Sequence, residues 1–440
     1  MLQSEETLLL HKSETSTERI GRNIPKDIFH LVYIVFFFLG VSTCLSYNMF
    51  INADTYFKHK FQSSEVISKY FESFFSTCSC CSLFLMILVN TVLVRYVKQK
   101  KRLYFSAVFF GIVFIQPAVF VYIDTEKWVV LFFIITLVVI FLINCSTATL
   151  QSTVFGLGGV FPSKYMQASM SGQGGAGVFA SLTNIFCLAV FPKDDYKATA
   201  LLYFLIGEGY IVFTIFIAIL VQYSAFYKFH TKQIVQHGHR KTKYVTPSIF
   251  IKDLKVLLSK IWLDALSILL VFFVSLSLFP GFISGIKQHG NVDGSDDKYW
   301  SAIMCFLLFN ANDLIGRTLP TLLVFPKNSW AIFTLALSRF LFFPMFILCN
   351  YRPRTSGLPV IFKWDGFPLI FNTVFGLTNG YLSTILMMLG PAKLERKDLQ
   401  EQAGTVMGLA YCIGLLLGSL FSFPVIAIIS GSSTNTTISD

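Results

Sequence analysis

Eleven apolar runs, at 29–50, 73–97, 103–123, 128–158, 165–191, 198–225, 262–285, 300–323, 329–349, 367–389 and 404–430, reach the length of about 20 residues that a helix needs to cross a bilayer. A chain with this many such runs reads as an all-α polytopic membrane protein. In lipid every backbone donor and acceptor must be satisfied within the protein, and a helix does this inside its own segment. Composition agrees, through missing charge more than through apolar excess. Of 440 residues 54% are hydrophobic but only 13% are charged, against about 25% in soluble domains.

The longest polar connection falls between the sixth and seventh runs. The chain therefore divides into a tail (1–28), a six-helix bundle (29–225), a basic loop (226–261), a five-helix bundle (262–430) and a short tail (431–440). The loop carries Lys228, Lys232, Arg240, Lys241 and Lys243 with His230, His237 and His239 between them. The histidine spacing is loose and no Cys or acid accompanies it, so a solvated loop near anionic lipid fits better than a metal site.

An odd number of spans puts the termini on opposite sides. Lys and Arg are twice as numerous on the segments that are cytosolic when the amino terminus is inside, which favours that orientation. It sends the sequon Asn435-Thr436-Thr437 to the outer side as a candidate glycosylation site. The expected location is the plasma membrane; Glu5 ahead of Leu9 and Leu10 has the spacing of an acidic dileucine sorting signal, though a plain disordered tail accounts for it as well, and an endolysosomal membrane is the alternative.

The net charge of +11 is spread over membrane-flanking loops, so nucleic acid is not an expected partner. The nine cysteines all lie in apolar runs, and Cys78 and Cys81 lack a second pair or nearby His. No disulfide framework, metal or other cofactor is expected. Nor is an enzyme, since no nucleophile–base pair stands out, and no obligate protein partner is evident.

The run 300–323 holds an acid and a base at bilayer depth. Asp313 and Arg317 are four residues apart, with Asn310 and Phe306 three and seven before Asp313, so the four share one helical stripe. A charge at that depth costs at least about 2.5 kcal/mol and normally faces a partner or a watery cavity. The pair could simply satisfy each other, yet a paired Arg keeps donors to spare.

Other spans add polar groups: Tyr47 and Asn48 in the first, Asn90 in the second, Asn144 and Gln151 in the fourth, Ser171 and Gln173 in the fifth, Asn372 and Asn379 in the tenth. Any one amide could serve only a helix-to-helix hydrogen bond of about 0.6 kcal/mol. Together they suit a central cavity for a neutral, hydroxyl-rich or heterocyclic ligand. Gly156, Gly172 and Gly174, and the pairs Gly404 with Gly408 and Gly414 with Gly418, mark close helix approaches. Pro117, Pro280 and Pro344 are expected to kink or unwind their spans, and Phe279 beside Pro280 is a candidate aromatic wall. Asp264 has no evident role.

Six blocks in collinear order, LINCSTATLQSTVFGLGGVFP (142–162), MSGQGGAG (170–177), LFPG (278–281), FNANDLIGRTLP (309–320), TNGYLST (378–384) and QAGTVMGLAYCIGLLLG (402–418), resemble the equilibrative nucleoside transporters. The resemblance implies eleven spans, a cytosolic amino terminus, a six-plus-five arrangement resembling the major facilitator fold, and facilitated passage of nucleosides or nucleobases. It implies that Gln151 meets the nucleobase, that Asp313 and Arg317 lie near the ribose hydroxyls with Asn310 and Phe306 beside them, and that Phe279 is the aromatic before the span-seven proline. The family commonly has Trp where this chain has Tyr47, which bears on selectivity. A carrier of another small solute, or a receptor that has kept the fold without transport, is the alternative.

Overall fold

The computed structural model describes residues 25–97, 99–158, 161–192, 195–238, 247–289, 299–355, 357–394 and 397–430. Among these, eleven helices are long and apolar enough to cross a membrane: Ile28–Asn52, Glu65–Asn90, Lys101–Phe120, Glu126–Phe155, Lys164–Val190, Tyr196–Tyr223, Leu257–Gly285, Ala302–Thr321, Ser329–Ile347, Gly366–Ala392 and Val406–Ile429. They are called spans one to eleven. Glu5, Leu9, Leu10, His239, Arg240, Lys241, Lys243 and Asn435 lie outside the described residues.

Span two starts at Glu65, well before the apolar run that marks it in the sequence. An acid in the first turn complements the helix dipole, so this amphipathic stretch stays helical and carries Glu72 into the bundle. The three prolines break their spans, since proline lacks the N–H and clashes with the preceding turn. Helix stops at Phe114 and resumes over Gln116–Phe120, the α-helix of span seven stops at Leu278, and span nine passes through a 3-10 turn at Arg339–Leu341 before Phe342–Ile347.

Spans one to six pack chiefly among themselves, as do spans seven to eleven; span two lies along span eleven and span five along span eight. Glycine sets how close span five comes. A Cβ at Gly172 would stand 2.1 Å from the Phe37 carbonyl oxygen of span one, and one at Gly177 would stand 2.1 Å from Asn310 Oδ1 of span eight. At Gly172 the neighbouring backbone, and at Gly177 the Asn310 side chain, takes the place a Cβ would need, and dispersion contacts replace the hydrophobic drive that lipid does not supply. Gly174 likewise faces Arg317, 3.0 Å from its Cδ to a Cβ position. In span eleven Gly414 and Gly418 meet the carbonyl oxygens of Leu269 and Phe273 at 2.4 and 2.5 Å, but Gly404 and Gly408 have nothing within 4 Å. The expected approach at those last two is not made.

Candidate functional site

Span eight begins as a π-helix over Ala302–Leu307 and continues as an α-helix over Leu308–Thr318. The wider turn misaligns carbonyls that an α-helix would satisfy. Asn372 of span ten takes them up, donating Nδ2 to Met304 O and, at 3.1 Å, to Cys305 O. Seven residues further along span ten, Asn379 donates to Asp313 Oδ1 at 2.7 Å, and Arg317 Nε holds Asp313 Oδ2 at 2.7 Å. The carboxylate is 6% exposed and each oxygen has one charge-matched or amide donor. A carboxylate offers about four lone-pair sites, so each oxygen can accept again.

The two terminal nitrogens of Arg317 have no partner among the described residues, and its side chain is 14% exposed. Tyr411 of span eleven and Cys44 of span one are among its electrostatic neighbours. Arg317 therefore sits where spans one, five, eight and eleven converge, with donors still free.

Behind this pair lies a second buried cation. Arg339, 1% exposed, donates to Phe375 O at 3.0 Å, to Ser275 Oγ at 2.8 Å and to Thr378, and its guanidinium lies 4.7 Å from the Phe375 ring centre. Ser275 in turn donates to Asn379 Oδ1 at 2.6 Å. A chain of hydrogen bonds thus runs from Arg339 through Ser275 and Asn379 to Asp313. The sequence marks Arg339 only as a charge inside a span.

The structure brings some expected site residues together and leaves others with packing duties. Phe306 has no exposed surface and meets Phe279 edge to face at 5.9 Å, whereas Phe309, which the helical stripe omits, stacks on Phe279 at 4.1 Å. Asn310 reaches Ser181 of span five at 3.4 Å. Asn48 donates to Cys44 O of its own helix at 3.0 Å, and Asn144 to Ser79 Oγ at 3.1 Å and to Ile140 O at 2.8 Å, so both amide nitrogens are engaged. Tyr47 shares a 3.3 Å hydrogen bond with Ser76. Gln151 is half-buried and its amide has no partner among the described residues. Gly156 lies within the fourth-span helix Val129–Gly158.

Asp264 has a partner after all. Lys393, just past span ten, forms an ion pair with it and also donates to Ser329, pinning spans seven, nine and ten together at the end remote from Asp54. This is a structural clamp rather than part of the central polar cluster.

The family described as Nucleoside transporter matches residues 137–244 and 231–427. The chain belongs to the nucleoside transporter family. It is 29% identical to human equilibrative nucleoside transporter 1 over 92% of this chain and 99% of that protein, and 31% identical to rat equilibrative nucleoside transporter 2 over 91% and 98%. Rat equilibrative nucleoside transporter 3 is 29% identical over 91% of this chain and 89% of its own length. As a nucleoside transporter family member the chain is a carrier, not an enzyme.

Proposed function

We propose that this protein carries nucleosides, and nucleobases, down their gradient without sodium, by alternating access. The observation that carries the reading is the state of Asp313. Its carboxylate is oriented by Arg317 and Asn379 and keeps acceptor sites for the vicinal hydroxyls of a ribose, while Arg317 keeps two donor nitrogens. Gln151, unpartnered and reachable, pairs with an edge of the base, and Tyr47, Asn310 and Phe279 line the path between. Lipid is the surrounding medium; no further partner is needed for this cycle.

The two bundles, 29–225 and 262–430, rock about this midplane site. A ligand bound equally well in both states biases neither, so its own gradient sets direction. The amino terminus is cytosolic, in keeping with the distribution of Lys and Arg, and the Asp54 end is then the outer one. The plasma membrane is the expected home, an endolysosomal membrane the alternative.

The test is uptake of radiolabelled adenosine and uridine into transporter-deficient cells expressing the chain, with sodium present and absent. Saturable uptake indifferent to sodium is the expected result. Surface-expressed protein with no uptake would instead point to another solute or to a receptor.

A further inference from the structure

Where spans one and seven reach the Asp54 end, two acids are buried side by side. Asp54 opens the short helix Asp54–Phe61 and is 7% exposed; Glu72 lies two turns into span two and is 4% exposed. Lys58 Nζ stands 2.7 Å from Asp54 Oδ2, and Ser284 donates its hydroxyl to Glu72 Oε2. The remaining oxygens, Asp54 Oδ1 and Glu72 Oε1, are buried with no donor among the described residues. Asp54 is also the strongest charged neighbour of Glu72, its carboxyl within side-chain hydrogen-bonding reach. Lys58 offsets one negative charge here, and the two unpartnered carboxyl oxygens leave room for a single proton by which one carboxyl would donate to the other.

This pair sits on the seam between the halves. Glu72 belongs to the first bundle and Ser284 to the 3-10 turn Ile283–Gly285 that ends span seven. Around them Ile51 packs in one cluster with Phe279 and Phe282, and a Cβ at Gly281 would stand 2.6 Å from Ser73 Oγ. Separating the halves here breaks the Ser284–Glu72 contact and admits water to both carboxyls.

We infer that Asp54 and Glu72 form a shared-proton site that latches the outer mouth: closing takes up one proton from the outer solution, and opening returns it to the same side. The inference rests on the orientation and the moving halves proposed above. The closed state binds the proton more tightly than the open one, so acid favours closure and alkali favours opening. Because release is to the side of uptake, the latch changes how often the mouth opens without driving substrate uphill.

The other groups facing the pair do not reproduce this response. Lys58 is already paired with Asp54. Burial, and then Lys58, push the Lys287 ammonium down to about 8, so it stays charged at and below neutral pH. Cys305, Tyr47 and Tyr351 are thiol and phenols, which ordinarily titrate above about pH 8.

The experiment is pulsed electron–electron resonance on the full chain in lipid, with spin labels on Gln62→Cys and Lys363→Cys, exposed positions on the two halves, and native thiols replaced. Between about pH 7.5 and 5.5 the short-distance population should grow, by up to about tenfold per pH unit through the transition. Glu72→Gln, or Asp54→Asn where that variant fails to fold, should make the distribution independent of pH. Ser284→Ala should move the transition to higher pH, since it removes a donor that favours the ionised acid. A parent chain indifferent to pH, or a Glu72→Gln chain with the parent's response, overturns the latch. In proteoliposomes with an imposed pH gradient, uridine should reach equal concentrations on both sides; accumulation would overturn the return of the proton to its own side. The label distances do not depend on uridine being the cargo, so failure of the latch and failure of the transport reading are told apart.

Discussion

Asn379 Nδ2 stands 2.7 Å from Asp313 Oδ1, on the oxygen that Arg317 leaves free. Span ten thus fixes the carboxylate of span eight, and through Ser275 and Arg339 it ties that carboxylate to spans seven and nine. An acid held at both oxygens is oriented before any ligand arrives, and so loses little freedom on binding one.

Asn379→Ala removes one of these two donors. A hydrogen bond to a charged group contributes roughly 1.5–3 kcal/mol, so uptake per surface molecule should fall about tenfold to a hundredfold. Uridine kinetics normalised to surface protein check this; unchanged kinetics would deny the carboxylate its orienting partner.

Arg317→Ala should abolish uptake with surface expression retained, because it leaves a buried carboxylate without its cation. Arg317→Lys keeps the charge but cannot hold Asp313 and offer two further planar donors together, so its KM should rise severalfold with some uptake left. Equal behaviour of the two variants would mean that charge alone matters at this position.

Arg339→Met should act on stability first. It removes the guanidinium's hydrogen bonds to Phe375 O, Ser275 and Thr378, each contributing about 1.5–3 kcal/mol as a bond from a charged donor. The detergent-solubilised protein should melt at lower temperature, and uptake should fall with it as Ser275 loosens Asn379. A variant as heat-stable as the parent would sink this role.

Glycines separate into those that a methyl group disrupts and those it does not. Gly177→Ala would drive a carbon to 2.1 Å from Asn310 Oδ1 and should abolish uptake, while Gly408→Ala meets nothing within 4 Å and should leave uptake near the parent level. Parallel uptake assays of the two suffice.

The spans, the acid and base of span eight and the breaks at Pro117, Pro280 and Pro344 could be read from the sequence because hydropathy, helical period and the missing proline N–H act over a few residues. Asp313 and Arg317 are four apart, and their pairing needs only one helix turn. Asn372 and Asn379 stand out in span ten as polar residues on one face, but their targets do not: one caps the carbonyls of a π turn, and the other holds Asp313 across 66 residues of sequence. Phe279 takes both Phe306, edge to face, and Phe309, stacked, and that sharing depends on where span seven places its ring, which the spacing within span eight does not give.

The sequence by itself determined how many helices cross, which of them carry charge and where they break, since lipid demands local satisfaction of the backbone. The tertiary structure alone decided which buried polar groups meet, as with Glu72 and Ser284, 212 residues apart. Desolvation makes each such group need a partner, but only the packing of one helix against another chooses which partner it gets.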